Sequence, residues 1–397
     1  MWNLTSESKE EFLKSSLLPI HESDEEWEYA LKEAQEEGFD LKDRLQEELN
    51  VVKDELRQIL PSSFLPYVEN GTLNQPSLPV QVREEYIQWM REKERDFEKV
   101  LDAAHEQTQE SVKSLPASVQ DVFEESLHDT RIERIQREEN SLHLYINTDG
   151  GFTTKSFIHL SFHDVEMETD ESIQVGQWII YYELQKTNDG FALRILFEGP
   201  DAEWTIRMKG MGAAYYFRPM PYTTLQNDEK IEGTDLVEYL SKLNPEFKYW
   251  FITPDVICPI TSISERIFLE NGNVVFTENH MVLLAKNQKF IYELNDYNPI
   301  NFIYTNVYED PYAHFSEPVP VDEIEEAALG EELELQVRAW NTMYANPEEL
   351  ADIINRVLWK MEITEENEMM ASVYSNYFNN AGILTDLVKE KYRNILG

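Results

Sequence analysis

Four of the eight histidines, His128, His143, His159 and His163, fall in one short stretch, with Asp129 and Asp164 beside two of them. Imidazoles and a carboxylate brought together from adjacent strands could hold zinc or another divalent ion, so His128, Asp129, His143, His159 and His163 are candidate metal ligands. A hydrolase or metal-dependent enzyme would use this region. His159 and His163 are four residues apart and share one face of an extended strand. Their α-carbons would stand about 13 Å apart there, so a single ion needs a bulge or a flanking loop. The same residues also suit ordinary hydrogen-bonded histidines. His128-Asp129 lies where a helical pattern gives way to alternation, a place where histidine ties backbone groups and aspartate closes a turn. No cofactor and no catalytic residue is expected from the sequence.

Cys258 lies in the apolar run Val256-Ile257-Cys258-Pro259-Ile260 and reads as a core residue. A nucleophilic role would need a base to lower its pKa, and His280 is the one histidine nearby in sequence. Gly210-Met211-Gly212 lacks the third glycine of a dinucleotide loop and reads as a turn. Phosphate-loop, nucleophile-elbow, His-Glu-x-x-His and calcium-loop spacings are absent. The aromatic run Tyr215-Tyr216-Phe217 is either a recognition surface or sheet core.

The elements that must position these residues change character along the chain. Leu41, Leu45, Leu49, Val52, Leu56 and Ile59 step by three and four, the stripe of an amphipathic helix. Gly38 divides it from an earlier Glu-rich segment and Pro61 stops it. A second long helix carries Tyr86, Trp89, Phe97, Leu101 and Ala104 on one side, and Pro116 opens a short third. From about residue 128 the apolar period becomes two. Six strands with short links, the first two a hairpin through 131–147, predict an antiparallel β-meander over 128–209. Asn188-Asp189-Gly190 is a turn, and Asn271-Gly272 predicts a hairpin within a second β-rich region. Three prolines mark 309–322 as a linker. Helical patterning then resumes, with Asn346-Pro347 predicting a helix start, Gly382 an end, and Thr364 and Thr385 caps.

Leu60-Pro-Ser-Ser-Phe-Leu65 and Ser126-Leu-His-Asp-Thr-Arg-Ile132, the second followed by alternating strands, together resemble a bacterial family of unknown function. In that family a helical N-terminal part leads into a Leu-His-Asp-x-x-Ile strand and a small antiparallel sheet. The resemblance spans roughly residues 50–200 and implies a fold but no reaction. Leu-Pro-x-x-Phe is also similar to the entry of immunity-type domains that neutralise secreted toxins. Asn70-Gly71-Thr72 stands here where such domains carry Asn-Gly-Gly.

Charge narrows the partners. The 397 residues hold 76 acidic against 34 basic side chains, a net charge of −42. Such a field repels phosphate backbones and anionic lipid and attracts basic proteins, so neither nucleic acid nor membrane is an expected partner. The acid concentrates in residues 1–50 and 301–350, where Glu25, Glu26, Glu325 and Glu326 are candidate partner-binding residues alongside Tyr215, Tyr216 and Phe217. The N-terminus lacks a signal-peptide pattern and no apolar run approaches the ~20 residues of a span, so a cytoplasmic protein is expected. The fold class read here is α+β: a helical region over 1–126, an antiparallel β-rich domain over 127–310, and a helical bundle over 322–397. The function expected is non-catalytic recognition of a basic protein, in its narrowest form neutralisation of a toxin or a role in bacterial defence. A DNA mimic that occupies a nucleic-acid-binding groove is a further alternative.

Overall fold

The computed structural model describes residues 2–170, 173–263, 266–364, 367–393 and 395–396. By packing, the chain divides into two units, Met1–Pro219 with Asp235–Tyr308, and Met220–Thr234 with Glu309–Gly397. The helical N-terminal region and the β-rich region lie in one unit.

The first unit begins with α1 (Ser6–Ser15), α2 (Asp24–Glu37), α3 (Leu41–Ile59), α4 (Leu65–Glu69), α5 (Val80–Val112) and α6 (Ala117–Phe123). Gly38 ends α2 at a left-handed φ of 81° that a β-carbon would disfavour. The α3 stripe buries Leu45, Leu49 and Leu56, and the last two share a cluster with Leu60 and Phe64 of the Leu-Pro-x-x-Phe stretch, Val68 and Tyr86. That stretch is a packing motif.

Eight strands follow: β1 (Thr130–Arg137), β2 (Ser141–Asn147), β3 (Phe157–His163), β4 (Met167–Asp170), β5 (Trp178–Lys186), β6 (Phe191–Glu198), β7 (Ala202–Met208) and β8 (Gly210–Tyr216). They form one antiparallel sheet in the order β4-β7-β6-β5-β1-β2-β3-β8. Only Asp164, Val165 and Glu166 separate β3 from β4, and only Lys209 separates β7 from β8. Pairing continues across both gaps: His163 opposes Gly210, Met167 opposes Arg207, and the Lys209 and Glu166 N–H groups donate to the His163 and Arg207 carbonyls. The two ends of the sheet are therefore halves of one bent strand pair, and the sheet closes into a barrel. Asp164, at a φ of 50°, makes the bend in one partner. Gly210-Met211-Gly212, expected as a turn, lies inside β8. A β-carbon at Gly212 would come within 2.8 Å of the Ser161 hydroxyl, which would have to turn aside.

Alternate residues of every long strand, among them Leu144, Leu160, Phe162, Ile195 and Trp204, fill the barrel, and Val119, Val122 and Phe123 of α6 close onto them. The seam between β1 and β5 is short, with Thr130 opposite Ile179 and Arg131 opposite Trp178. Past those pairs α5 satisfies the β5 edge. The Leu184 N–H donates to the Thr108 hydroxyl at 2.9 Å and the Lys186 N–H to the Ser111 hydroxyl at 3.0 Å. These side-chain bonds cover an edge that would otherwise present unpaired amides.

After α8 (Leu236–Ser241), the chain adds β9 (Tyr249–Ile252), β10 (Ile257–Ile263), β11 (Ile267–Leu269), β12 (Gly272–Phe276), β13 (His280–Ala285), β14 (Gln288–Glu293) and β15 (Ile303–Thr305). They form two further antiparallel sheets, β11-β10-β9-β15 and β12-β13-β14. The expected Asn271-Gly272 hairpin is not formed: β11 pairs with β10 and β12 with β13, so this turn passes the chain between sheets. The β-carbon of any other residue at Gly272 would stand 2.8 Å from the Leu284 carbonyl. The tight hairpin is β13–β14, turned through Lys286 and Asn287 at φ of 52° and 62°.

The second unit holds α7 (Met220–Asn227), α9 (Ile324–Leu329), α10 (Leu333–Ala345), α11 (Ala351–Lys360), α12 (Glu368–Asn380) and α13 (Asp386–Lys391). Trp340, Met343, Ile354, Val357, Leu358 and Phe378 make its core. Asn346-Pro347 begins a turn, and α11 itself starts at Ala351. No described helix is long and apolar enough to cross a membrane.

Candidate functional site

The outer face of the barrel carries the histidines in rows set by strand register. Arg134, Tyr145, His159 and Ala214 stand side by side on β1, β2, β3 and β8, and Gln136, His143, Ser161 and Gly212 form the next row. The Arg134 guanidinium lies 3.7 Å from the centre of the Tyr145 ring, and the His159 ring stacks on the same tyrosine at 4.3 Å. His143 Nδ1 and His159 Nε2 are 3.0 Å apart, a distance at which one nitrogen carries the shared proton. Glu138 reaches His143 Nε2 at 3.9 Å.

The other two histidines lie elsewhere. His163 Nε2 sits 3.4 Å from the Ser161 hydroxyl, over Gly212. His128 Nδ1 contacts the Ile180 carbonyl at 2.5 Å, and its Nε2 is 3.5 Å from Asp129. Asp129 takes a φ of 58° and donates its N–H to the Ile179 carbonyl, so the pair anchors the short β1–β5 seam. Among the described residues no group of three His, Cys, Asp or Glu side chains could hold a metal ion. Cys258 is buried, and that burial raises its thiol pKa.

Burial holds His159 neutral, aided by His143, Arg134 and Lys286, and lowers its pKa to about 4. Below the unfolded value of about 6.5 the unfolded chain takes up this proton before the folded one does. His159 therefore lowers stability as pH falls from about 6.5 to about 4, by on the order of 1–2 kcal/mol after allowance for its partial exposure. Urea midpoints at pH 7 and pH 5 check this. The drop should shrink in His159→Gln, and an equal drop in both proteins contradicts the assignment.

The aromatic run packs internally. The Tyr215 hydroxyl donates to Asp121 at 2.8 Å, Tyr216 lies against Trp250, and Phe217 is buried in a T-shaped contact with the Tyr215 ring. Of the acidic candidates, Glu325 accepts from Lys360 and, at 2.8 Å, from Arg356, bonds that hold its carboxyl below the usual range. Glu26 receives the Glu22 N–H at 2.8 Å, whereas Glu25 is exposed on α2. Tyr29, absent from the candidates above, is 70% exposed on the same helix, and the burial of Trp27 and Ala34 on the opposite face is the helical-period signal that places it outward.

The model of a family described as Protein of unknown function (DUF4085) matches residues 6–208, from α1 through β7. The chain belongs to this family. The match contains both short motifs that suggested such a family, and it extends beyond the stretch they marked. No curated protein and no solved structure matches the chain.

Proposed function

We propose that this member of the family is a protein-recognition module that captures a basic protein, with α2 as its leading contact. One observation carries the reading. Helix α2 presents Asp24, Glu25, Glu26, Glu28, Glu33, Glu36 and Glu37 to solvent against the single base Lys32, around the exposed Tyr29. A tyrosine ringed by like charges supplies an apolar anchor for binding, while the carboxylates steer a cationic partner toward it. Neutralisation of a basic toxin is the narrowest form of this reading, because long-range attraction accelerates capture.

Tagged protein incubated with extract of its native cell should retain one dominant basic protein, released by salt on the order of 0.3 M, where screening shortens to about 6 Å. Against that purified partner, Glu25→Gln with Glu26→Gln should slow association several-fold, and Tyr29→Ala should speed dissociation about tenfold. Melting temperatures should barely move, since exposed charges add little stability. A retained protein that is acidic, or one whose binding ignores both sets of changes, contradicts the proposal.

A further inference from the structure

The β12-β13-β14 sheet is locally neutral on a chain of net charge −42: within Gly272–Glu293, Glu278 and Glu293 balance Lys286 and Lys289. Its inner face buries Met281, Leu283 and Tyr292. Its outer face exposes aliphatic side chains instead. Val275, Val282 and Ile291 stand in one row across the three strands, and Leu284 lies in the next. Val275 is 46%, Leu284 44% and Ile291 56% exposed. Scattered surface aliphatics are ordinary, but a cross-strand row on one sheet face is a contiguous apolar surface.

The polar residues around that row decide what could cover it. One flanking row holds Asn273, Leu284 and Lys289; the opposite flank holds His280 and Glu293, whose side chains meet at 3.1 Å. Consider a second copy of the chain laid face to face about a two-fold axis parallel to the rows. Val275, Val282 and Ile291 then meet their own counterparts. Lys289 of each copy falls opposite Glu293 of the other, twice by symmetry. The face is thus complementary to itself in its central apolar row and in charge.

We propose that this sheet face is a weak, isologous self-association surface, two three-stranded sheets stacking into a small sandwich with the usual spacing of about 10 Å. Four aliphatic side chains and two ion pairs cover less than the ~800 Å² per partner of a standard stable interface, which fits a reversible dimer with a dissociation constant on the order of 10–100 µM. Two chains of charge −42 repel, and salt screens that repulsion. The dimer therefore tightens with salt, the opposite of what a complex with a basic partner does.

Sedimentation of the full chain from roughly 5 to 500 µM brackets that constant and tests the idea. The expected result is a monomer–dimer equilibrium that tightens several-fold between low and physiological salt. Lys289→Glu and Glu293→Lys should each weaken it about tenfold by placing like charges in opposition, and the double exchange should restore it. Ile291→Asp should abolish it. Circular dichroism checks that each variant folds. A monomer at every concentration and salt overturns the proposal, as does a dimer that weakens with salt or one indifferent to the charge exchanges.

Discussion

Glu183→Ala is expected to destabilise the first unit by about 3 kcal/mol and to release the N-terminal segment from the barrel. Glu183 is fully buried on the outward side of β5. Its carboxylate accepts the Leu4 N–H at 2.8 Å, the Asn3 N–H at 2.9 Å, the Asn3 side-chain amide at 3.1 Å and the Gln185 amide at 2.6 Å. Arg194 on β6, opposite Glu183, donates to the Leu4 carbonyl at 3.2 Å and lies 4.6 Å from the Trp2 ring. Truncation to alanine leaves the buried Leu4 N–H without its acceptor and removes the charge that faces Arg194, two of the costliest changes available to a folded chain. Glu183→Gln keeps the shape and one acceptor, so its cost should fall between wild type and alanine. Urea unfolding measures the stability, and amide exchange at Asn3 and Leu4 reads the release directly. If alanine costs under about 0.5 kcal/mol, or those amides stay protected, the segment is held by apolar contact alone.

Trp204→Ala should cost still more, about 4 kcal/mol, because it empties the volume of a large ring inside a closed barrel. Trp204 is fully buried beside Phe197, with ring centres 6.3 Å apart, and the Arg137 guanidinium lies 5.9 Å from its ring centre. Its indole N–H meets no acceptor among the described residues. Trp204→Phe therefore removes an unsatisfied donor along with part of the ring, and should cost only about 1 kcal/mol. A cavity-dominated site gives this wide gap between the two variants. Equal losses would mean that the indole nitrogen, rather than volume, governs the position. Denaturant midpoints at constant slope are sufficient to separate the cases.

Local signals in the sequence determined most element types and their ends. The three-and-four spacing from Leu41 to Ile59 and the period of two after residue 128 depend only on which side chains must face a core. Gly38, Pro61 and Pro116 act on the backbone of their own neighbourhood, so their consequences are readable without a partner. The family was legible for a related reason: Leu60-Pro-Ser-Ser-Phe-Leu65 and the strand entry at Ser126–Ile132 are local packing and turn arrangements carried by contiguous residues. The net charge of −42 likewise needs no fold.

Tertiary structure decided whatever depends on register between distant segments. Closure of the sheet rests on pairing that runs through Asp164–Glu166 and Lys209, and each link in isolation reads as a loop or a turn. Asn271-Gly272 has hairpin chemistry, but the strands it joins found longer partners in separate sheets; Lys286-Asn287 turns the hairpin without any glycine. His143 meets His159 because β2 and β3 pair in a register that places them diagonally. His163, on the same strand face as His159, is carried away by the 3.3 Å rise of each residue. The fate of the aromatics was decided the same way. Tyr215, Tyr216 and Phe217 were drawn into contacts with α6 and the second sheet, whereas Tyr29, on a helix that buries only Trp27 and Ala34, was left to solvent. Spacing along a chain fixes which residues share a face, but only the packing of other elements determines whether that face is covered.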